Sequence, residues 1–363
     1  MNYPILRSNI ILKRQASKVT SLSRCVASSI RFSTTLVSEK RPIFAADDLK
    51  QAQKNRLKAL GPYISRLPAS VIPYAELMRL EKPVGTLFVF VPATWAVLIG
   101  AAEALVPLST TLYTLVVLGA GSLVIRGAGC TINDLLDRKM DSQVIRTVER
   151  PIASGRVSAK NASIFFAAQT LVGVGLLLQL PADCLWLGMA SFPLICAYPL
   201  FKRFTYYPQV VLSACINWGA LIGFPAIGLI DFSSMIPLYL GSFLWCMTYD
   251  TIYAHQDKKF DLKAGVKSTA LKWGNKSRAI ITGMTAAQFG LFALVGLNSG
   301  LIAGPGFLAG LGIFGYRMFS IVRKVDLDDP RDCWKHFNAC STNGYYFTAG
   351  LAFDYLLKFF GFL

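Results

Sequence analysis

The chain has 363 residues, of which 53% are hydrophobic and 16% charged, and its mean hydropathy is +0.46. That composition excludes an ordinary water-soluble domain and predicts an all-α fold, a polytopic membrane helical bundle. The net charge of +17 does not point to nucleic acid as a partner, because the basic residues fall between hydrophobic spans and not on one compact basic module.

From Met1 to Ser38 there is no Asp or Glu, while Arg7, Lys13, Arg14, Lys18, Arg24 and Arg31 alternate with Ser, Thr and scattered apolar residues. Residues 1–43 therefore read as a mitochondrial transit peptide, with a disordered basic tail as the plainer alternative. Residues 44–84 form a polar lead-in that closes on a short interfacial helix stopped by Pro83. Residues 85–363 form the membrane domain. Its apolar cores are expected at Thr86–Leu105, Leu112–Cys130, Ser163–Leu180, Cys184–Leu200, Val210–Ile230, Met235–Tyr253, Ala279–Leu297, Leu301–Ile321 and Tyr345–Phe362. Each approaches the roughly 20 residues that a hydrocarbon core demands, so about nine transmembrane helices are predicted. Pro92, Pro193 and Pro225 predict kinks.

Charge placement orients the bundle. The connections after the second, fourth, sixth and eighth spans hold the basic residues, among them Arg138, Arg146, Arg150, Arg203, Lys258, Lys267, Arg323 and Lys335, whereas the other connections offer Glu103, Asp183 and Asp231. By the positive-inside rule the basic end faces the compartment of synthesis or the matrix.

Two acidic stripes lie at that end. In RGAGCTINDLLDRKMD, Asn133, Asp137 and Asp141 follow one another at i, i+4 steps, and Arg126, seven residues earlier, falls near the same helical face. In YDTIYAHQDKKFD, Asp250, Asp257 and Asp261 stand at i, i+7 and i+11, again on one face. The shared i, i+4 spacing of Asp137/Asp141 and Asp257/Asp261 hints at a pseudo-repeat. Gathered carboxylates repel one another unless something compensates them, and a charged cluster at a membrane helix is a functional-site hypothesis by default. Magnesium suits them, since it takes one or two carboxylates and fills its remaining positions with water and phosphate. Two such stripes facing each other would hold a diphosphate.

The chemistry that fits is cleavage of an allylic carbon–oxygen bond, which leaves a carbocation and a multiply charged diphosphate. Arg126, Arg146, Arg150 and Lys267 are the candidates for phosphate contact. An apolar cavity lined by Phe, Tyr and Trp would hold an isoprenoid tail and exclude water. Tyr249 and Tyr253 either offer an electron-rich face to the cation or anchor the helix at the interface. His255 and His336 are expected in loops, with His255 structural. The cysteines show no zinc or redox spacing.

INDLLDRKMDSQVIRTVERPIASG and YDTIYAHQDKKFDLKAGVKSTAL resemble the two Asp-rich signatures of the UbiA family of intramembrane aromatic prenyltransferases, and RLEKPVGTLFVFVPATWA is similar to the segment that opens the family's catalytic core. The resemblance covers about Met78 to the C-terminus. It implies that Asn133, Asp134, Asp137 and Asp141, together with Asp257, Asp261 and a supporting Asp250, hold Mg2+. It also implies that Lys267 and Ser268 reach phosphate and that Arg79 and Lys82 bind the carboxylate of an aromatic acceptor. GCTINDLLDRKMD, RTVERP and YDTIYAHQDK are similar to the branch that joins polyprenyl diphosphate to 4-hydroxybenzoate, ortho to its hydroxyl, in ubiquinone synthesis. That branch implies an inner-membrane site facing the matrix, with membrane lipid and other ubiquinone-biosynthesis enzymes as partners. The DCWKHFNACSTNG stretch, read as a loop, matches the family only loosely. Alternatives are a homogentisate or haem acceptor, or a carboxylate-lined transporter.

Overall fold

The computed structural model describes residues 44–363, and the expected transit peptide, residues 1–43, lies outside the described residues. All regular structure among the described residues is helical. Helix α1 spans Ala46–Ala59 and α2 Ile72–Leu77, after which come α3 Val84–Ala104, α4 Leu108–Asp141, α5 Ala159–Leu177 and α6 Ala182–Phe204. The second half contains α7 Pro208–Ile216, α8 Phe232–Ala264, α9 Thr269–Trp273, α10 Ser277–Asn298, α11 Pro305–Lys324 and α12 Pro330–Phe359.

Seven segments are long and apolar enough to cross a membrane, namely α3, α4, α5, most of α6, the run 208–227, the run 269–298 and α11. Helices α8 and α12, with 33 and 30 residues, have the length but interleave more polar residues. The expected nine spans are compatible with this arrangement. The run 208–227 differs from the single helix expected there. Helix α7 stops, a short helical turn covers Gly219–Ile222, and a 3-10 turn opened by Pro225 ends at Gly228 with φ 81°. Gly219 and Gly223 lie so close to Ala93 and Ala96 of α3 that neither site has room for a Cβ. The proline opens the chain and the glycines seat it.

Helix ends follow local chemistry. Ser158 accepts from Asn161 N–H at the start of α5, Asp231 accepts from Ser233 and Ser234 N–H ahead of α8, and Asp329 accepts from Arg331 N–H ahead of α12. A distant residue caps α11. Asp354 of α12, fully buried, accepts from the N–H groups of Gly306 at 2.8 Å and Phe307 at 2.6 Å, so its charge sits on the positive end of that helix.

Successive long helices pack side by side, from α3 through α4, α5, α6 and α7 to α8, and on through α10 and α11 to α12, which returns against α3. The core lies where α3, α8, α10, α11 and α12 meet. Trp95, Trp245, Phe292, Phe314 and Phe347 are all buried there, with ring centroids 5.1 Å apart for Trp95–Trp245 and 5.3 Å for both Trp95–Phe292 and Phe292–Phe347. Trp95 Nε1 donates to Thr348 Oγ1 at 2.9 Å.

Helices α4 and α8 overrun any hydrocarbon core. At 1.5 Å per residue their 34 and 33 residues reach about 50 Å, against the roughly 30 Å of bilayer interior. Their last turns carry the two acidic stripes. The connections that follow α4, α6, α8 and α11 meet at this same end. Arg146 bonds Asp257, Arg203 bonds Asp137, Lys267 Nζ donates to Phe204 O, and His255 pairs with Leu327 O.

At the crossing of α11 and α12, a Cβ on Gly350 would run into the carbonyl of Gly306, and the reverse. Gly350→Val is expected to destabilise by about 2 kcal/mol through overpacking, and Trp95→Ala by about 3–5 kcal/mol through the cavity it leaves. Gly121→Ala, where nothing lies within 4 Å of the added carbon, serves as the neutral control for thermal unfolding in detergent.

Candidate active site

The overhanging ends of α4 and α8 enclose a cavity of about 600 Å³. Its lining takes Asn133, Asp137 and Asp141 from α4 and Asp250, Asp257 and Asp261 from α8, which is the stripe-to-stripe juxtaposition the spacing predicts. Arg146 and Arg150 enter from the segment after α4, while Lys267 and Ser268 enter from the segment after α8. Gly265, at φ 67°, ends α8 in the left-handed region and turns Val266–Ser268 back toward the cavity. Thr147 Oγ1 donates to Asp141 O at 2.9 Å and folds the first connection back onto its helix.

Arginines from outside α4 and α8 neutralise the carboxylates. Arg146 Nη1 lies 2.7 Å from Asp257 Oδ1 and Arg150 Nη1 2.9 Å from Asp141 Oδ2. Arg203 Nη2 donates to Asp137 Oδ1 at 3.3 Å and to Leu136 O at 3.2 Å. In the sequence Arg203 signals only topology, because nothing local links it to a residue 66 positions away. Lys267 Nζ stands 5.3 Å from the Tyr206 ring centroid. Ser268 Oγ and Arg126 Nε are buried with no hydrogen-bond partner among the described residues.

Beside this cavity lies a second one of about 310 Å³, lined by Arg126, Arg79, Lys82 and an aromatic group. Asn133, Arg150, Tyr198, Asp250 and Tyr253 line both cavities, so the two are contiguous. Tyr249 stacks on Phe88 with centroids 3.9 Å apart, and Phe337 stands 5.2 Å from Phe88 and 5.0 Å from Tyr253. Tyr249 is 2% exposed and so belongs to an internal aromatic wall, which removes the interfacial-anchor reading for it. Tyr253 faces both cavities. Gly85 lies where a Cβ would meet the Arg126 guanidinium at 2.6 Å, so the glycine of the KPVG sequence makes room for that side chain.

Asp134 is set apart from the other carboxylates. It is 1% exposed, lines the aromatic cavity and not the larger one, and binds Arg79 Nη2 at 2.7 Å and Arg150 Nη1 at 3.2 Å. Arg79 occupies the residue after the cap of α2 with φ 58°. Its N–H bonds Glu76 O and the Leu80 N–H bonds Ala75 O, both at 3.1 Å, the pattern of a Schellman ending in which glycine is the usual occupant. Left-handed backbone costs a non-glycine residue about 1 kcal/mol. The contact with Asp134 offsets that cost. Burial opposes the guanidinium's charge, but Asp134 alongside outweighs it and holds the Arg79 pKa above its ordinary range.

Three expectations need correction. The DCWKHFNACSTNG stretch is not a loop but the first half of α12, and Trp334 and Phe337 from it line the aromatic cavity. Both histidines are helical. His255, buried, spans Leu327 O at 3.2 Å and Ser277 Oγ at 2.9 Å, consistent with a structural role. The apolar cavity between α4, α5, α6 and α7, about 210 Å³, is mainly aliphatic, with Val117, Leu118, Ile125, Val174 and Ile195 beside Phe192 and Trp218. The aromatic residues expected to line it fill the core and the ring-sized cavity instead. Ile216 lines both the apolar and the aromatic cavity.

Residues 89–348 match the UbiA prenyltransferase family. The chain is 62% identical over 325 residues to the mitochondrial 4-hydroxybenzoate polyprenyltransferase of Saccharomyces cerevisiae, covering 90% of this chain and 87% of the yeast protein. It is 40% identical over 296 residues to the Homo sapiens protein of the same name, covering 81% and 78% of the two chains. A UbiA homologue from Aeropyrum pernix K1 shares the fold with a TM-score of 0.62 at 22% identity, over 74% of this chain and 97% of that one. A homologue from Archaeoglobus fulgidus, solved with GPP and Mg2+, does so with a TM-score of 0.54 at 18% identity, over 77% and 99%. With two acidic helix ends around one cavity and a family match across most of the membrane domain, the chain belongs to the UbiA prenyltransferase family.

Proposed function

We propose that this chain transfers a polyprenyl group from its diphosphate to the ring carbon ortho to the hydroxyl of 4-hydroxybenzoate, at the matrix-side rim of the mitochondrial inner membrane. The observation that carries the reading is the shared cavity. Two acidic stripes and a ring of cations surround a space that opens onto an aromatic-walled chamber. The names of the yeast and human relatives support the same acceptor and the same organelle. A carboxylate-lined transporter loses its support, since family membership and the position of these groups at helix ends both favour chemistry at a rim.

The donor set fits a hard divalent cation. All its atoms are oxygens, and no three acidic, His or Cys side chains among the described residues converge closely enough to chelate an ion alone. One or two carboxylates completed by phosphate and water is the habit of Mg2+. Asn133, Asp137 and Asp141 on one side and Asp257 and Asp261 on the other would hold it, with Asp250 in support. When bound, the ion supplies positive charge against the leaving diphosphate.

The protein's own residues do the rest. Arg146 and Arg150 already hold carboxylate oxygens, so a diphosphate exchanges one set of anionic oxygens for another at small geometric cost. Arg126 Nε, Ser268 Oγ and Lys267 Nζ add donors on the remaining sides. Asp134 serves as the positioning residue that aims Arg79, and Arg79 and Lys82 orient the acceptor's carboxylate. The Tyr249–Phe88 wall and Tyr253 hold the ring and present electron-rich faces to a developing cation. The tail lies in the aliphatic cavity, which Ile216 joins to the aromatic chamber, and bulk water is kept from the cation.

Detergent-solubilised protein given labelled polyprenyl diphosphate, 4-hydroxybenzoate and Mg2+ is expected to form ortho-prenylated product. Chelation should abolish the product and added Mg2+ should restore it; turnover undiminished by chelation would contradict the metal assignment. Asp137→Asn and Asp257→Asn should each lower kcat by about 10²–10³-fold with little change in thermal stability. Asp134→Ala should instead destabilise the fold by about 3 kcal/mol, because it leaves buried Arg79 without its carboxylate. Gly85→Ala, by displacing the Arg126 guanidinium, should lower kcat about tenfold while the protein unfolds at the parent temperature.

A further inference from the structure

A third hollow, of about 600 Å³, lies between α1 and the mouth of the two inner cavities. Its outer wall is the face of α1 that carries Gln51, Ala52, Asn55 and Arg56. Its inner wall is cationic. Arg79, Lys82, Arg150 and Tyr253 are shared with the aromatic chamber, and Arg146, Arg150 and Tyr253 with the carboxylate cavity.

Helix α1 has no buried residue, so apolar packing does not fix it. It is pinned by charge and by its end. Arg56 Nε lies 2.7 Å from Glu76 Oε1 and its Nη1 4.0 Å from Glu149 Oε2, and Leu60, directly after the helix, is buried. Glu76 is 5% exposed and also pairs with Arg156. The acids Glu76 and Glu149 are thereby matched at the outer wall, while Asp48 and Glu81 stand in the lining unopposed by any ion pair inside it. On the inner wall Arg79, Arg146 and Arg150 are each committed to an aspartate. Lys82, which is exposed, forms no ion pair with a described carboxylate and stands where this hollow meets the aromatic chamber.

We infer that α1 walls an aqueous vestibule through which a small anionic aromatic acid reaches the ring chamber, separately from the apolar cavity that takes the prenyl tail. The inference rests on the transfer reaction proposed above. An aromatic carboxylate is too polar to arrive through hydrocarbon, and the vestibule leads it from water to Lys82 and then to the aromatic wall. Lys82 receives the carboxylate as a mobile point charge. Arg56 is a positioning residue, which sets the distance of the α1 wall from that path.

The test is steady-state kinetics of the full chain in detergent, with 4-hydroxybenzoate and labelled polyprenyl diphosphate varied in turn. Ala52→Trp fills the vestibule from a polar surface helix. It is expected to raise the KM for 4-hydroxybenzoate about five- to tenfold while kcat and the KM for the diphosphate stay at the parent values, since slower entry lowers kcat/KM for that substrate alone and leaves the chemical step untouched. Ala52→Ser should match the parent. Arg56→Ala should raise the same single KM, and Arg56→Lys should recover part of it. Two unchanged KM values in Ala52→Trp, or two that rise together, would overturn the vestibule while leaving the transferase reading intact. A parent protein that forms no product from 4-hydroxybenzoate would remove that reading and the vestibule with it.

Discussion

The whole end of this molecule at which α4 and α8 finish depends on neutralising carboxylates that the helices force toward one another. Two like charges about 4 Å apart repel by about 4 kcal/mol at the effective dielectric near a protein surface, and α4 and α8 bring six such groups to one cavity lining or its border. The compensation comes from outside those helices. Arg79, Arg146 and Arg150 arise in connecting segments and Arg203 in the last turn of α6, so the pairs that cancel the charge also fasten three connections and a neighbouring helix end to the bundle. Electrostatic relief and loop order are one interaction here. It also leaves the cations poised for any anion that outcompetes an aspartate.

Much of this could be read in advance because it is periodic. Spans show as runs of apolar residues, and the i, i+4 spacing of Asp137/Asp141 and of Asp257/Asp261 puts each pair on one helical face whatever the surroundings. The parity of basic connections already required both stripes to open at one end, and the Arg203–Asp137 and Arg146–Asp257 contacts realise that parity. Arg126 was visible by the same rule, seven residues before Asn133.

What escaped the sequence lacks periodicity. Asp134 has the same chemistry as its neighbours, and only a partner 55 residues away tells that it faces Arg79. The start of α12 contains Asp332, Lys335, His336 and Asn338 among its aromatics, so its hydropathy reads as a loop although its backbone is helical and delivers Trp334 and Phe337 to the chamber. The break across 208–227 is likewise tertiary. An unbroken helix has the same hydropathy, and only contact with Ala93 and Ala96 shows why glycines stand at 219 and 223. The division into an aliphatic and an aromatic chamber was hidden for a related reason, since composition says how many aromatics exist but not which of them pack against each other.

The excess length of α4 and α8 has a further consequence for how a reaction at their tips would end. Its two products differ sharply in polarity: an inorganic anion with several charges, and a ring now tethered to a hydrocarbon chain. At the tip of a rod that outreaches the bilayer, the first is already in contact with water and the second still has its chain among lipids. They part by partition alone, in opposite directions, without either crossing the path of the other.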